Sequence, residues 1–447
     1  MKNVSLRILL SMASVSCSAA DGTQARDPAT LSAACDLCSA ATPLAGVPAD
    51  YDDLLASIGE ARIVALGEST HGTHEFYRER ARITERLIRE KHFRALIIEA
   101  DWPNTDRVNR YVRGVGQDRS AEQALGAYRD FPRWMWRNEE FRDLVESLRA
   151  HNLTLPQEDR VGIYGMDVYN FFGAMEAVRR YAEEQDGELA GLVREQYRCF
   201  DRYDESPEAY GAATRRRSNA CSEEAQAVLD LLAAREPPAG ITAREEHFSA
   251  VRSAASVVGA EEYYRASFSG SNSWNVRDQR MVANIEEIAR HVGPDAGPHG
   301  KVVVWAHNSH VGDARATDAK LRGELNVGQL LRERFGEAAY LVGLLTHGGR
   351  VIAAEDWGSR GYERELRPAL PESYSGVFEA AGLENALLLL RHAPGSLEPA
   401  GEPLLQRAVG VIYRPESERF SHYLSADLRE QFDAVLFFRK SSAVSPL

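Results

Sequence analysis

Four short apolar runs in this chain each lead directly into a charged residue or a histidine. The runs cover residues 63–67, 95–98, 161–166 and 302–306, and the residues that follow them are Glu68, Glu99, Asp167 and His307. Short, nearly continuous apolar stretches separated by helical patterns are typical of parallel strands that are covered on both faces. Because ligands of such sheets bind beyond the carboxyl ends of the strands, we expect these four polar residues at one rim.

The rest of the pattern predicts an α/β fold, with a mostly parallel central sheet flanked by helices and an inserted helical subdomain. Apolar stripes predict helices at 74–91 and 327–335, and a fifth strand is expected at 340–345. Residues 171–270 have helical spacing without a convincing strand, so they form the predicted insertion. A length of 447 residues with 44% apolar content allows a large core, and we expect residues 48–447 to form one α/β domain.

The N-terminus has the pattern of an export signal. Basic residues precede a short apolar stretch, and the small residues at 18–20 are typical of a cleavage site. We therefore predict a signal peptide at 1–20 and a disordered tail at 21–47, which makes the protein periplasmic or secreted. If the segment is not a working signal, the protein is cytoplasmic, and lipidation at Cys17 is the alternative to cleavage.

The cysteines indicate the cellular compartment, and the net charge limits the kinds of binding partner. Cys199 and Cys221 are candidates for a disulfide, which suits an oxidising compartment. The net charge of −13 disfavours nucleic acid and anionic membrane surfaces as partners. No segment after the leader is apolar over the roughly 18 residues that a stable membrane span needs. The expected partner is therefore a small-molecule substrate.

The loop after the first strand carries chemistry but lacks a recognisable protein nucleophile. Ser69 lies on a strand-to-helix turn, yet a nucleophile elbow needs glycine where this chain has His71. No cysteine is near the rim loops. The rim histidines and carboxylates instead form an acid–base set that can take a proton from water. The same residue types also suit a metal with one open position, and their spacing does not decide between the two.

Three further features have more than one interpretation. Arg80 lies on the first helix, where most arginines are solvated. Trp134 and Trp136 alternate in an aromatic run, and they either pack in the core or, beside Arg137, form the floor of a site for a bulky apolar substrate. Residues 274–278 open a helix, and we interpret them as ordinary capping.

Five ordered motifs resemble the erythromycin esterase family. They are Gly67-Glu68-Ser69-Thr70-His71-Gly72, Ile98-Glu99-Ala100-Asp101, Phe131-Pro132-Arg133-Trp134-Met135-Trp136-Arg137-Asn138, Ser273-Trp274-Asn275-Val276-Arg277-Asp278 and Trp305-Ala306-His307-Asn308-Ser309-His310. The resemblance spans residues 60–345 approximately, and five motifs in the same order argue against chance. It implies an α/β sheet with a largely helical periphery.

The resemblance also implies a reaction and a set of catalytic residues. The reaction is hydrolysis of a macrolide lactone by activated water, without a covalent acyl-enzyme and with no cofactor expected, and its expected biological role is antibiotic resistance. The motif residues carry these roles: His71 as general base, Glu68 to orient it or the water, Arg80 and Glu99 to complete this side of the site, and His307 with His310 to bind the carbonyl or assist proton transfer.

A second set of residues is expected to contact the substrate. Its members are His74, Trp134, Trp136, Arg137, Asn138 and Asp167. Two other functions stay open at this point: a metal-dependent hydrolase of another ester or amide, and a haem-binding or metal-binding protein without turnover.

Overall fold

The computed structural model of the chain describes residues 41–216, 219–293, 299–391 and 403–447. The expected signal peptide and the tail up to residue 40 lie outside the described residues. Among the helices that are described, none has both the length and the apolar character needed to cross a bilayer.

A central sheet of nine strands organises the described part of the chain, and two further strands form a small sheet of their own. The strands are β1 (Ala41–Pro43), β2 (Ile63–Leu66), β3 (Ala95–Asp101), β4 (Gly162–Asp167), β5 (Val302–Trp305), β6 (Ala339–Ala353), β7 (Tyr362–Leu366), β8 (Asn385–Leu389), β9 (Leu404–Arg407), β10 (Tyr423–Ala426) and β11 (Ala434–Ser441). The central order is β1-β8-β11-β6-β2-β5-β3-β4, with β7 paired to β6. All pairings from β11 to β4 are parallel, which confirms the predicted mostly parallel sheet.

Helices cover both faces of this sheet. The α-helices are α1 (Asp52–Ile58), α2 (His74–Lys91), α3 (Trp102–Val112), α4 (Ala121–Leu125), α5 (Arg133–Trp136), α6 (Glu139–Asn152), α7 (Phe171–Gln185), α8 (Gly187–Tyr197), α9 (Pro207–Ala213), α10 (Ser222–Ala233), α11 (Ile241–Ser269), α12 (Ser273–His291), α13 (Asn308–Val311), α14 (Val327–Phe335), α15 (Tyr374–Ala380), α16 (Glu418–Ser421) and α17 (Leu428–Gln431). The helices predicted at 74–91 and 327–335 match α2 and α14.

The continuous apolar runs of the strands follow from burial on both faces. Alternate residues of β2, Val64 and Leu66, join a core cluster with Ile83 of α2, whereas Ile63 and Ala65 join a second cluster with Ile285 of α12. Since each residue of these strands is buried on one face or the other, polar residues first occur at or near the strand ends. The polar side chains therefore lie together at the rim.

The predicted helical insertion has its own core beside the sheet. Helices α7 to α11 occupy residues 171–269, and they bury a separate cluster that includes Phe171, Tyr210 and Val257. Cys199 and Cys221 form a disulfide within this part of the chain, as the sequence suggested.

The structure corrects two boundaries. Residues 41–43, expected in a disordered tail that reaches residue 47, form β1 and pair antiparallel with β8. Three residues are too few to show an alternating pattern, so this edge strand has no sequence signal. The fifth predicted strand is also longer than expected, because β6 runs on to Ala353 and then turns back as β7.

Candidate active site

The carboxyl ends of β2, β3, β4 and β5 meet at one rim because these strands run parallel. A cavity of about 1070 Å³ opens at this rim. Its wall includes these residues singled out from the sequence: His71, Glu99, Trp136, Asp167, His307 and His310. Side chains that are far apart in the chain therefore share one pocket.

His71 is held from behind by a carboxylate and an arginine. Its Nδ1 lies 2.9 Å from Glu68 Oε1, and Arg80 Nη2 lies 2.7 Å from Glu68 Oε2. An ionised carboxylate only accepts hydrogen bonds, so Nδ1 of His71 carries the proton and donates it. The other ring nitrogen, Nε2, then keeps the lone pair that a general base requires.

Arg80 is fully buried rather than solvated, which its helical spacing alone did not indicate. The guanidinium carbon lies 4.7 Å from the ring centre of Tyr77 and 4.5 Å from that of Trp305. Its contact with Glu68 is an ion pair without hydrogen-bond alignment. Two aromatic faces and one carboxylate therefore stabilise this cation behind the pocket.

Glu99 connects the two sides of the cavity. Its Oε2 accepts a hydrogen bond from the backbone N–H of His307 at 2.8 Å, and its Oε1 accepts one from Arg277 Nη2 at 2.9 Å. Burial alone would raise the pKa of the Glu99 carboxyl, but the charge of Arg277, joined by that of His310 whenever its ring is protonated, outweighs burial and holds that pKa well below its usual range. Glu99 is therefore an anion in the pocket.

Arg277 on α12 joins three polar residues of the pocket. Its Nε and Nη2 donate to the two carboxylate oxygens of Asp167 at 2.9 and 2.6 Å, while Nη2 also reaches Glu99. The guanidinium lies 4.8 Å from the ring centre of Tyr169. The neighbouring carboxylates, Asp167 above all, outweigh burial and raise the pKa of Arg277 well above its usual value. Arg277 was not among the predicted site residues, because residues 274–278 have only the pattern of ordinary helix capping.

His310 is fixed by an acid on one side and an indole on the other. Its Nδ1 lies 2.9 Å from Asp278 Oδ1, and its ring stacks on Trp274 with the ring centres 4.4 Å apart. Burial lowers the pKa of His310, but the carboxylates of Asp278 and Glu99 outweigh burial and raise it overall. A protonated ring would point Nε2 at Glu99 Oε1, 3.4 Å away.

The contact of His310 with Arg277 favours the neutral ring. Arg277 Nη1 lies 2.9 Å from His310 Nε2, and a guanidinium can only donate a hydrogen bond. This distance is shorter than the 3.4 Å to Glu99, so we take the neutral ring, with its proton on Nδ1, as the state of this structure. In either state, Asp278 holds the ring in place.

His307 has the opposite tautomer to His71. The backbone N–H of Ser309 donates to His307 Nδ1 at 3.2 Å, so Nδ1 is an acceptor and the proton of the neutral ring is on Nε2. That Nε2 is buried and has no hydrogen-bond partner among the described residues. Burial, above all, lowers the pKa of His307 to about 3. His307 is thus a neutral donor, and its ring centre lies 4.9 Å from that of His71.

The residues expected to contact substrate fall into two groups. Trp136 and Asp167 line the cavity, and the indole N–H of Trp136 donates to the Glu99 carbonyl at 3.0 Å. The remaining four have structural contacts away from the cavity wall: His74 with Glu140, Trp134 against Gly361, Asn138 as the cap of α6, and Arg137, whose carbonyl accepts from Leu447. None of these four residues lines the cavity, so their contact with substrate stays a prediction.

The described residues contain no group of three or more histidine, cysteine, aspartate or glutamate side chains that could hold a metal ion. The rim histidines instead pair with carboxylates, a hydroxyl and a guanidinium. Their arrangement suits proton transfer between neighbouring groups.

Comparison with known proteins gives a family and a fold. The family model described as Erythromycin esterase matches residues 88–441, which extends well past the motif resemblance that ends near residue 345. The chain is 22% identical over 414 residues to erythromycin esterase type II of Escherichia coli, covering 88% of this chain and 93% of that protein.

Two solved structures are similar to this one. A succinoglycan biosynthesis protein has a TM-score of 0.77 at 21% identity, covering 94% of this chain and all of that chain (100%). A mutant of the erythromycin esterase EreC in its open conformation has a TM-score of 0.62 at 18% identity, covering 88% of this chain and 94% of that chain. At such low identities, these two structures establish the fold alone.

Proposed function

We propose that this chain, which belongs to the erythromycin esterase family, opens the lactone ring of a macrolide with a water molecule as the nucleophile. Family membership makes it a hydrolase that acts on esters of small molecules. Lactone opening by water is supported above all by the two imidazoles of His71 and His307. Their ring centres lie 4.9 Å apart in the cavity, and their tautomers are complementary.

His71 supplies the base. Its Nε2 lone pair takes one proton from a water molecule as the water oxygen attacks the lactone carbonyl. The imidazolium that forms is stabilised by Glu68, whose ion pair with Arg80 orients the carboxylate. This support is buried, so the charge of Glu68 acts on His71 with little screening by solvent.

His307 supplies the electrophile. Its Nε2–H has no acceptor at full hydrogen-bond geometry in the described structure, although the Ser69 backbone lies near enough to act on the ring, so it can turn its donation to the carbonyl oxygen as negative charge develops there. When the tetrahedral intermediate collapses, the C–O bond of the lactone breaks, and His71 returns its proton to the leaving ring oxygen. The products are one carboxylic acid and one hydroxyl on the same opened chain, which balances the addition of one water.

Ser309, beside His307, is an alternative nucleophile to water, but its surroundings do not activate it. Ser309 Oγ lies 2.8 Å from His307 Nδ1 and the residue lines the cavity. The backbone N–H of Ser309 donates to the same Nδ1, as expected for a local cap at the start of α13. Because the pKa of His307 is lowered to about 3, its ring is a weak acceptor for a serine proton. His307 is therefore a poor activator of Ser309.

Mass spectrometry of the products tests the reaction and the substrate together. The purified protein, stripped of metals by exhaustive chelation, is incubated with a panel of macrolides of different ring size. We expect at least one product heavier by one water, and no such product from His71→Ala. Failure to open any macrolide contradicts the proposal. Activity that disappears with chelator and returns with zinc favours a metal-dependent hydrolase instead.

A further inference from the structure

Four aromatic side chains surround the mouth of the cavity and form what we call the aromatic rim: Phe131, Tyr169, Tyr263 and Trp357. The rings of Phe131 and Trp357 lie 5.0 Å apart, those of Tyr169 and Tyr263 lie 5.2 Å apart, and those of Tyr169 and Trp357 lie 6.3 Å apart. Their planes cross at 62° to 89°, so they meet edge to face rather than stacking. Each edge-to-face contact covers only part of a ring, and the exposed surface of Trp357 remains available to a further apolar group.

The rim is assembled from parts of the chain that are distant in sequence. Phe131 precedes α5, Tyr169 follows β4, Tyr263 belongs to α11 of the helical insertion, and Trp357 lies on the turn between β6 and β7. The helical insertion and the β6–β7 hairpin thus contribute to the same cavity as the catalytic loops.

Trp357 stands out because it is 65% exposed in spite of its size. Large aromatic surface left in water is unfavourable, and a contiguous apolar patch at a cavity mouth is typical of a binding site. The hairpin that carries Trp357 is seated against the core, since a Cβ added at Gly361 would lie 2.4 Å from Trp134 Nε1. The indole is therefore presented at the mouth by a supported hairpin.

We propose that the aromatic rim holds the apolar face of a large ring substrate, so that the chain selects bulky apolar esters over small ones. This inference rests on the proposed function and adds the region that discriminates by size. The cavity of about 1070 Å³ slightly exceeds the roughly 300–1,000 Å³ typical of small-molecule sites, which leaves space for a large ring between the rim and His71. Because the rim and the imidazoles line the same cavity, a substrate is the occupant that fits.

Selectivity between large and small esters tests this inference. The measurement is kcat/KM for a macrolide and for a short-chain p-nitrophenyl ester, in the unmodified protein and in Trp357→Ala, Trp357→Phe and Phe420→Ala. Phe420 is a matched control, since it is 89% exposed but does not line the cavity. We expect the ratio of large to small to fall about tenfold in Trp357→Ala, the loss that 1.4 kcal/mol of contact produces, and mainly through KM. Trp357→Phe should keep most of the ratio and Phe420→Ala all of it.

The outcomes separate this inference from the function on which it rests. If macrolides are opened but the ratio is unchanged in Trp357→Ala, the rim proposal is wrong and the function stands. If no macrolide is opened, the function is wrong, and the rim is then decided by a series of p-nitrophenyl esters of increasing acyl length. A preference for long chains that Trp357→Ala abolishes supports the rim, whereas the absence of such a preference overturns it. A dimer of the unmodified protein that Trp357→Ala dissolves also overturns it, because the indole would then cover a second copy.

Discussion

Two histidines three residues apart in the chain, His71 and His74, each pair with a glutamate, but the two pairs differ in burial and in position relative to the cavity. His71 Nδ1 lies 2.9 Å from Glu68 Oε1, and His74 Nδ1 lies 2.7 Å from Glu140 Oε1. The first pair is 8% and 0% exposed and lies at the cavity, whereas the His74 side chain is 34% exposed and lies outside it.

The difference lies in what surrounds each pair. Behind Glu68 is the buried Arg80, and in front of His71 is the cavity. Glu140 instead also accepts a hydrogen bond from the backbone N–H of Ser445, so the second pair ties the start of α2 to α6 and the C-terminal segment. A hydrogen-bonded imidazole becomes a candidate base only where a substrate can reach its free nitrogen.

The largest effect is expected from removing the imidazole of the buried pair. His71→Ala should lower kcat for macrolide opening by about 10²–10⁴, the range for loss of a general base, and His74→Ala should change it less than about threefold. Steady-state kinetics of the two variants measure this directly. Comparable losses in both variants would remove the distinction between the pairs.

His307 should give the next largest loss, with a characteristic pH dependence. His307→Asn changes the donor at the carbonyl, and we expect kcat to fall by about 10²–10³, as for loss of an oxyanion donor. Since the pKa of His307 is lowered to about 3, the ring is neutral at every pH well above that value. The ratio of unmodified to variant kcat should therefore be constant between about pH 5 and pH 8. A ratio that changes steeply in this interval would mean that His307 acts through its own protonation.

Arg277→Lys should have an intermediate effect, because lysine keeps the charge but loses the planar fork that bridges Asp167 and Glu99. We expect kcat to fall about 10- to 100-fold, as for a small displacement of catalytic groups. Arg280→Lys is the matched control, as it lies on the same helix and pairs with Glu262 outside the cavity.

A readout beyond activity distinguishes positioning from folding at Arg277. The charge of Arg277 lowers the pKa of Glu99, so Arg277→Met should raise that pKa toward its usual range. The carboxyl stretch of Glu99 in infrared difference spectra, assigned with Glu99→Gln, measures this shift. An equal loss in the two lysine variants, or an unchanged Glu99 band in Arg277→Met, contradicts this role.

The smallest expected effect is on stability and concerns the pair of His74 and Glu140. The hydrogen bond from His74 to Glu140 outweighs burial and raises the pKa of His74 above its unfolded value. A raised pKa stabilises the fold fully below the unfolded pKa, near 6.5, and the contribution is lost as the pH rises through the folded pKa. His74→Ala should therefore lower the free energy of unfolding by up to about 1 kcal/mol at pH 6 and by less at pH 9. Urea unfolding at the two pH values measures this, and a larger loss at pH 9 reverses the expected sign.

The strands and their polar ends could be predicted from the sequence for a local reason. Burial on both faces forces the apolar runs of β2 and β5, and the first polar residue marks the rim. The spacing of α2 likewise appears as a stripe. Edge strand β1 could not be predicted, because its three residues gain their structure from pairing with β8.

The candidate site was only partly predictable because its second half depends on long-range contacts. Arg277 bonds to residues 110 and 178 positions earlier in the chain, whereas its own neighbourhood has only the pattern of a helix start. The same holds for Trp357, which reaches the cavity through the hairpin of β6 and β7. Trp134 shows the reverse case, because its aromatic motif left both core packing and substrate contact open, and the side chain is buried against Gly361 without lining the cavity.

Direct attack by water is the central claim, and the mass of the intact protein during turnover tests it. The reaction with a macrolide is quenched in acid after less than one turnover and through the steady state, in the unmodified protein and in Ser309→Ala. We predict no protein species heavier by one substrate molecule at any time, and a kcat for Ser309→Ala within about threefold of the unmodified value. A covalent adduct that forms at the rate of turnover and is absent from Ser309→Ala would contradict the account, since a protein side chain would then be the nucleophile.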